Sequence, residues 1–203
     1  MHYPEFFDAV PRIRLRDPLA EFLGAFEGGV IEYAYLDAVR LAGHSCPTVA
    51  SAYWLTRQAL RALYGDALPE RGGVRVAFRE HATAGVTGVI ANVVSLVTGV
   101  TTDTGFKGLA GRFDRRKLLA FDAPLPLDLR FTRVDTGAAV DAIAHLRQVP
   151  ADPQMAPLMQ ACLAGEASPD EARLFGQLWQ DRVRRVLLEH GDDPQIFVIR
   201  PAA

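Results

Sequence analysis

Residues 40–49 read RLAGHSCPTV and place His44 two positions from Cys46, between a glycine and a proline. No other stretch concentrates reactive side chains so closely. Pro47 suits the first turn of a helix, where its missing N–H costs nothing. Cys46 then becomes the N-cap, beside unpaired backbone N–H groups and the positive end of the helix dipole. That setting favours thiolate over thiol, and the thiolate is both the nucleophile and the metal-binding form. In an extended chain the two side chains would point apart, whereas a tight turn after Gly43 lets them converge. Three chemistries fit: a two-ligand metal corner, a nucleophile with its base, or a helix start holding a small buried thiol.

A zinc site needs three or four N, S or O ligands. His81 ends a predicted strand, directly before the turn ATAG, and is the candidate third ligand. His145 and His190 fall at helical positions with ordinary surface neighbours, His2 lies at a terminus, and Cys162 sits within an apolar helix as core. These four are read as non-functional. Three protein ligands plus water is the catalytic zinc pattern. Glu80, Asp103 and Lys107 are then the candidate acids, bases or anion holders, with Lys107 flanked by Gly105 and Gly108. For Glu80 or Asp103 alone, a salt bridge or loop cap is the simpler role.

The elements that must position these residues are read from pattern. Asp17 and Pro18 open a short helix to Phe26, and VIEYAY (30–35) alternates as a strand. Residues 36–43 return to helical spacing. A longer helix runs from Pro47 to Tyr64, with Val49, Ala52, Tyr53, Thr56, Leu60 and Leu63 on one face and Gly65 as its stop. GVRVAFRE (73–80) is an alternating strand. Residues 86–97 are apolar all round, which predicts a buried helix. The Thr- and Gly-rich run 98–111 reads as a functional loop or a long connector. KLLAF and LDLRFTRV then add two strands to one sheet with 30–35 and 73–80, and a short helix follows near 138–146. Beyond Pro150 two helices are expected, the second opened by the Ser168–Glu171 capping box and stopped at Gly191. QIFVIR reads as a last strand. The predicted class is α+β, a mixed sheet packed with helices, with a core over 1–149 and a helical C-terminal extension over 150–203, packed on the core or at a dimer interface.

The formal charge of -2 and pI near 6.2 argue against nucleic acid as partner. Arg112–Lys117 and Arg182–Arg185 read as solvated charge runs. Two cysteines make no disulfide framework, which favours a reducing, cytoplasmic setting. The N-terminus lacks signal-peptide order, no apolar run is long enough for a membrane span, and no glycine fingerprint marks a dinucleotide site.

The order of AGHSCP, VRVAFRE and LVTGVTTDTGFKG resembles the formylmethanofuran dehydrogenase E-subunit (FmdE-like) family, over roughly residues 30–136. The resemblance implies an α+β domain, a homodimer, and zinc or another divalent transition metal held by His44 and Cys46. Many members carry a further cysteine after the strand. This chain has none between 47 and 161, so His81 is inferred as its substitute. TTDTGFKG also carries extra residues before Lys107, and the C-terminal zinc ribbon of some members is replaced by helices. The resemblance does not imply formylmethanofuran chemistry. The expected function is a metal-binding protein with an open coordination position for an unidentified small molecule. The alternatives are a metal-free enzyme using Cys46 with His44 or His81 as base, and a non-catalytic accessory subunit with a structural metal.

Overall fold

A computed structural model describes residues 2–202. The chain runs α1 (Phe6–Ala9), β1 (Ile13–Arg16), α2 (Pro18–Phe22), β2 (Val30–Tyr33), α3 (Tyr35–Ala42), α4 (Pro47–Tyr64), β3 (Val74–Phe78) and α5 (Thr87–Thr98). It continues with β4 (Leu119–Ala120), β5 (Leu129–Arg133), β6 (Ala139–Ala144), α6 (Met155–Ala164), α7 (Pro169–Arg184) and β7 (Phe197–Pro201). A π-helical turn, Arg185–Glu189, extends α7. The class is α+β, as the sequence predicts. No helix among the described residues is long and apolar enough to cross a membrane.

The main sheet has the order β4-β3-β5-β6-β7, with β3 and β4 parallel and the other neighbours antiparallel. Side chains alternate across a strand, so register decides which residues share a face. Val76 lies opposite Phe131 and Phe131 opposite Val140, and all three are buried. On the other face Arg130 and Asp141 are register partners and pair at 2.7 and 2.8 Å. Helix α4 forms where its signals stand: Pro47 in the first turn, Cys46 as cap and Gly65 after the last residue. Its apolar face packs on β5, β6 and β7 and on α5.

Two expectations are corrected. Residues 30–33 do not join the main sheet. They pair with β1, a strand absent from the pattern reading, in a separate hairpin where Ile13 lies opposite Tyr33. Ile13 and Leu15 bury one side of the IRLR alternation. Residues 139–144 form strand β6 and not a helix. Alanine's helical propensity is a weak prior that packing overrides. Gly137 at φ 75° closes a turn after β5, Val140 and Ala142 enter the core, and Asp141 meets Arg130.

Residues 150–203 carry α6, α7 and β7, and Val183, Val186, Leu187, Ile196 and Phe197 lie in the same buried cluster as α4. Cys162, expected as core, is only half-buried, whereas Cys46 is buried, and both are free thiols. Fully buried Tyr53 ties α4 to the small hairpin, since its hydroxyl lies 3.0 Å from the Pro11 carbonyl and 2.9 Å from that of Tyr33. Tyr53→Phe leaves these carbonyls without their donor, so we expect a loss of about 1–3 kcal/mol. A lowered urea midpoint with unchanged slope checks it.

Candidate functional site

Gly43 caps α3 at φ 74°, a left-handed conformation that glycine adopts without a Cβ clash. The chain then turns into α4 within three residues. His44 is exposed, and its Nδ1 lies 2.9 Å from the Ala42 carbonyl. A carbonyl only accepts, so Nδ1 carries the proton and Nε2 of the neutral ring keeps its lone pair. That is the tautomer which a backbone carbonyl, accepting from the other ring nitrogen, fixes in metal-binding histidines. Cys46 is 9% exposed, and its Sγ accepts from the Val49 N–H at 3.4 Å, as an N-cap.

Ser45, between them, is held from two sides. Its hydroxyl shares a 2.9 Å hydrogen bond with the buried Tyr35 hydroxyl. Burial pushes the Tyr35 phenol pKa up, the Ser45 contact draws it back, and nearby Cys46 adds to the rise. The Ser45 carbonyl accepts from Trp179 Nε1 at 2.9 Å and Gln180 Nε2 at 3.2 Å. Helix α7 therefore fixes the loop that carries His44 and Cys46.

His81 stands in the turn after β3, exposed. Its Nδ1 accepts from the Thr83 N–H at 3.2 Å and lies 2.9 Å from Thr83 Oγ1. Accepting there puts the proton of the neutral ring on Nε2. In this arrangement His81 offers a donor and not a ligand lone pair. Among the described residues no three His, Cys, Asp or Glu side chains gather into a group able to hold a metal. The His44–Cys46 pair suits a divalent metal in donor chemistry and tautomer. His81, held to Thr83, is not gathered with that pair.

Glu80 is exposed beside Arg79 at 3.4 Å. Asp103 and Lys107 are exposed in the loop after α5. Helix α5 separates that loop from Glu80 and His81. At ~1.5 Å of rise per residue it is roughly 18 Å long. The structure therefore places Glu80 and His81 at one end of α5, and Asp103 and Lys107 beyond the other.

Near the start of α4 lies a cavity of about 550 Å³ lined by Thr48, Ser51, Arg79, Val86, Asp128 and His145, among others. Arg79 and Asp128 pair across it at 2.7 Å. An adjoining hollow, about 340 Å³, shares this pair and includes Glu80. The sequence reading sets His145 aside because it takes 138–146 as helical. As the residue after β6, His145 instead lines the cavity. Reading β6 as a strand is the signal that would find it.

No protein-family model matches this chain, and no curated protein matches it.

Proposed function

We propose that the chain is a metal-binding protein, with His44 Nε2 and Cys46 Sγ as a two-ligand corner for zinc or a similar divalent ion. The observation that carries this reading is the tautomer of His44, which its Nδ1 contact to the Ala42 carbonyl fixes beside a thiol at a helix N-cap. The resemblance of AGHSCP and LVTGVTTDTGFKG to the formylmethanofuran dehydrogenase E-subunit family supports it further. When bound, such an ion acidifies a water or polarises a carbonyl. The residues around it do the rest. Ala42, Tyr35 and Trp179 hold the loop, and the cavity beside Thr48 and Ser51 has room for a small molecule.

Two donors are fewer than zinc takes. The reading therefore requires His81 to turn away from Thr83, or a donor from a small molecule or a second copy of this chain. Asp103 and Lys107 serve this corner only from such a copy, because α5 separates their loop from this end of their own chain. A homodimer and a cytoplasmic setting belong to the same reading.

The test is metal content in protein purified without added metal. We expect about one equivalent per chain, lost in Cys46→Ser and His44→Ala while both variants stay folded. Less than about a tenth of an equivalent in the parent protein overturns the reading. Alkylation separates it from a cysteine nucleophile: zinc protects a ligand thiol, whereas a free nucleophile reacts equally with and without metal. A structural metal in an accessory subunit would show as a strongly lowered melting temperature on chelation.

A further inference from the structure

A second cleft, about 440 Å³, lies among Arg16 at the end of β1, the 70–72 turn, and the loop 112–115. Four arginines line it: Arg16, Arg71, Arg112 and Arg115. It sits at the opposite end of α4 from Cys46. Tyr64, the last residue of α4, donates to the Gly73 carbonyl at 3.4 Å, next to Gly72 of the cleft. Helix α4 is roughly 27 Å long at ~1.5 Å of rise per residue.

The sequence places Arg115 in a solvated charge run, yet it is only 6% exposed. Its Nη2 donates to Asp17 Oδ1 at 2.6 Å, while Nη1 is buried and has no hydrogen-bond partner among the described residues. The fold is shaped around this guanidinium. A Cβ on Gly72 would collide with Nη1, and one on Gly99 would come within 3.2 Å of it. Both glycines have positive φ, 83° and 75°. The Thr- and Gly-rich loop supplies the other wall. The Arg115 carbonyl accepts from Thr101 Oγ1 at 2.7 Å, and the Arg115 N–H donates to the Phe106 carbonyl at 2.9 Å.

The neighbouring acids leave a positive surplus. Asp17 carries one charge and serves both Arg71 and Arg115. Arg16 pairs with Glu21, and Asp114 with Arg116. Glu70 lines the cleft without an ion pair among the described residues. Arg112 likewise has no carboxylate partner there and lies over the Phe113 ring at 4.7 Å. Five guanidiniums thus meet four carboxylates, in a chain whose net charge is -2. A buried cationic donor left unpaired costs more than an ordinary lost hydrogen bond. A planar guanidinium matches carboxylate and phosphate oxygens.

We propose that this cleft binds the oxyanion group of a small molecule, a phosphate or a carboxylate, with Arg112 and Arg115 Nη1 as its donors. Arg112, exposed and unpaired, meets the anion first, and Arg115 receives it at the floor. The Thr- and Gly-rich loop then has a definite role, which is to hold Arg115 in place. The site is independent of the metal corner, and each can fail without the other.

Inorganic phosphate and succinate, each against sodium chloride of equal ionic strength, test the proposal by calorimetry and thermal unfolding. We expect one of the two anions to bind once per chain with a Kd in the millimolar range or tighter. A tenfold excess over Kd should raise the melting temperature by about 3–6 °C. Which anion binds identifies the oxyanion. Arg112→Gln and Arg115→Lys should each weaken binding at least tenfold, while exposed Arg61→Gln, outside the cleft, should leave it unchanged. If Arg115→Lys fails to fold, the exposed Arg112 variant carries the test. Binding of neither anion beyond the chloride control, or full binding by Arg112→Gln, overturns the proposal.

Discussion

A chain ended after Val149 will not unfold as a cooperative unit. Residues 150–203 are helical over α6 and α7, but what they bury belongs to the common core. Strand β7 pairs with β6 along Val140–Ala144 and covers that edge. Val183, Val186, Leu187, Ile196 and Phe197 are each at most 4% exposed. At ~1.5–3 kcal/mol per buried apolar side chain, losing five of them removes roughly 8–15 kcal/mol, against a whole-domain stability of ~5–15 kcal/mol. Removal also uncovers α4. The Trp54 indole donates to the Gly191 carbonyl, and Gln58 donates to Asp192 at 2.8 Å. The Trp179 and Gln180 contacts to Ser45 would go with them, releasing the loop of His44 and Cys46. Urea unfolding followed by circular dichroism decides the matter. A single sigmoidal transition in the truncated chain would make 150–203 a true extension. A milder probe is Trp54→Ala, which we expect to cost roughly 3–5 kcal/mol.

What can be read in the sequence is what short-range chemistry determines. Helix α4 is legible at both ends, because Cys46, Pro47 and Gly65 act on backbone groups within a turn of themselves. The Ser168–Glu171 box is legible for the same reason. Strand β6 is not, since GAAVDAIA carries no strong alternation and is extended by pairing with β5 and β7. The pairing of 30–33 with 13–16 escapes the pattern because nothing local says which strand a strand will join. Among the site residues, the turn that carries His44 and Cys46 follows from Gly43 and Pro47. The tautomer that separates His44 from His81 does not, because it depends on the Ala42 carbonyl in one case and the Thr83 N–H in the other. Arg115 is the largest omission. Its partner Asp17 lies 98 positions away, and only the fold shows that a residue within RFDRRK is buried.

Asp17→Ala will lose about 3–5 kcal/mol, the cost of stranding a buried partner charge. Asp17 is 5% exposed and does two jobs. It caps α2, accepting from the Leu19 and Ala20 N–H groups at 2.9 and 3.3 Å, and it is the carboxylate for both Arg71 and Arg115. Asp17→Asn keeps an oxygen for the cap and should recover about 1 kcal/mol of the loss. The remainder then measures the charge. Burial raises the Asp17 pKa, but the charge of Arg115 and the hydrogen bonds from Arg71 and Ala20 outweigh it, so the carboxyl titrates below its usual 3.8. A depressed carboxyl contributes stability that is complete above the unfolded-state value and lost as pH falls through the folded-state one. The parent protein should therefore lose this contribution below about pH 4, and the Asn variant, already without it, should show a shallower acid slope there. Among the described residues the two guanidiniums have no other carboxylate within salt-bridge distance. With Asp17 gone, an oxyanion entering the cleft becomes their main counter-charge. The anion that binds the parent should accordingly raise the melting temperature of Asp17→Ala by more than that of the parent at equal concentration. An equal or smaller rise would mean that the anion does not share the Arg71–Arg115 charge.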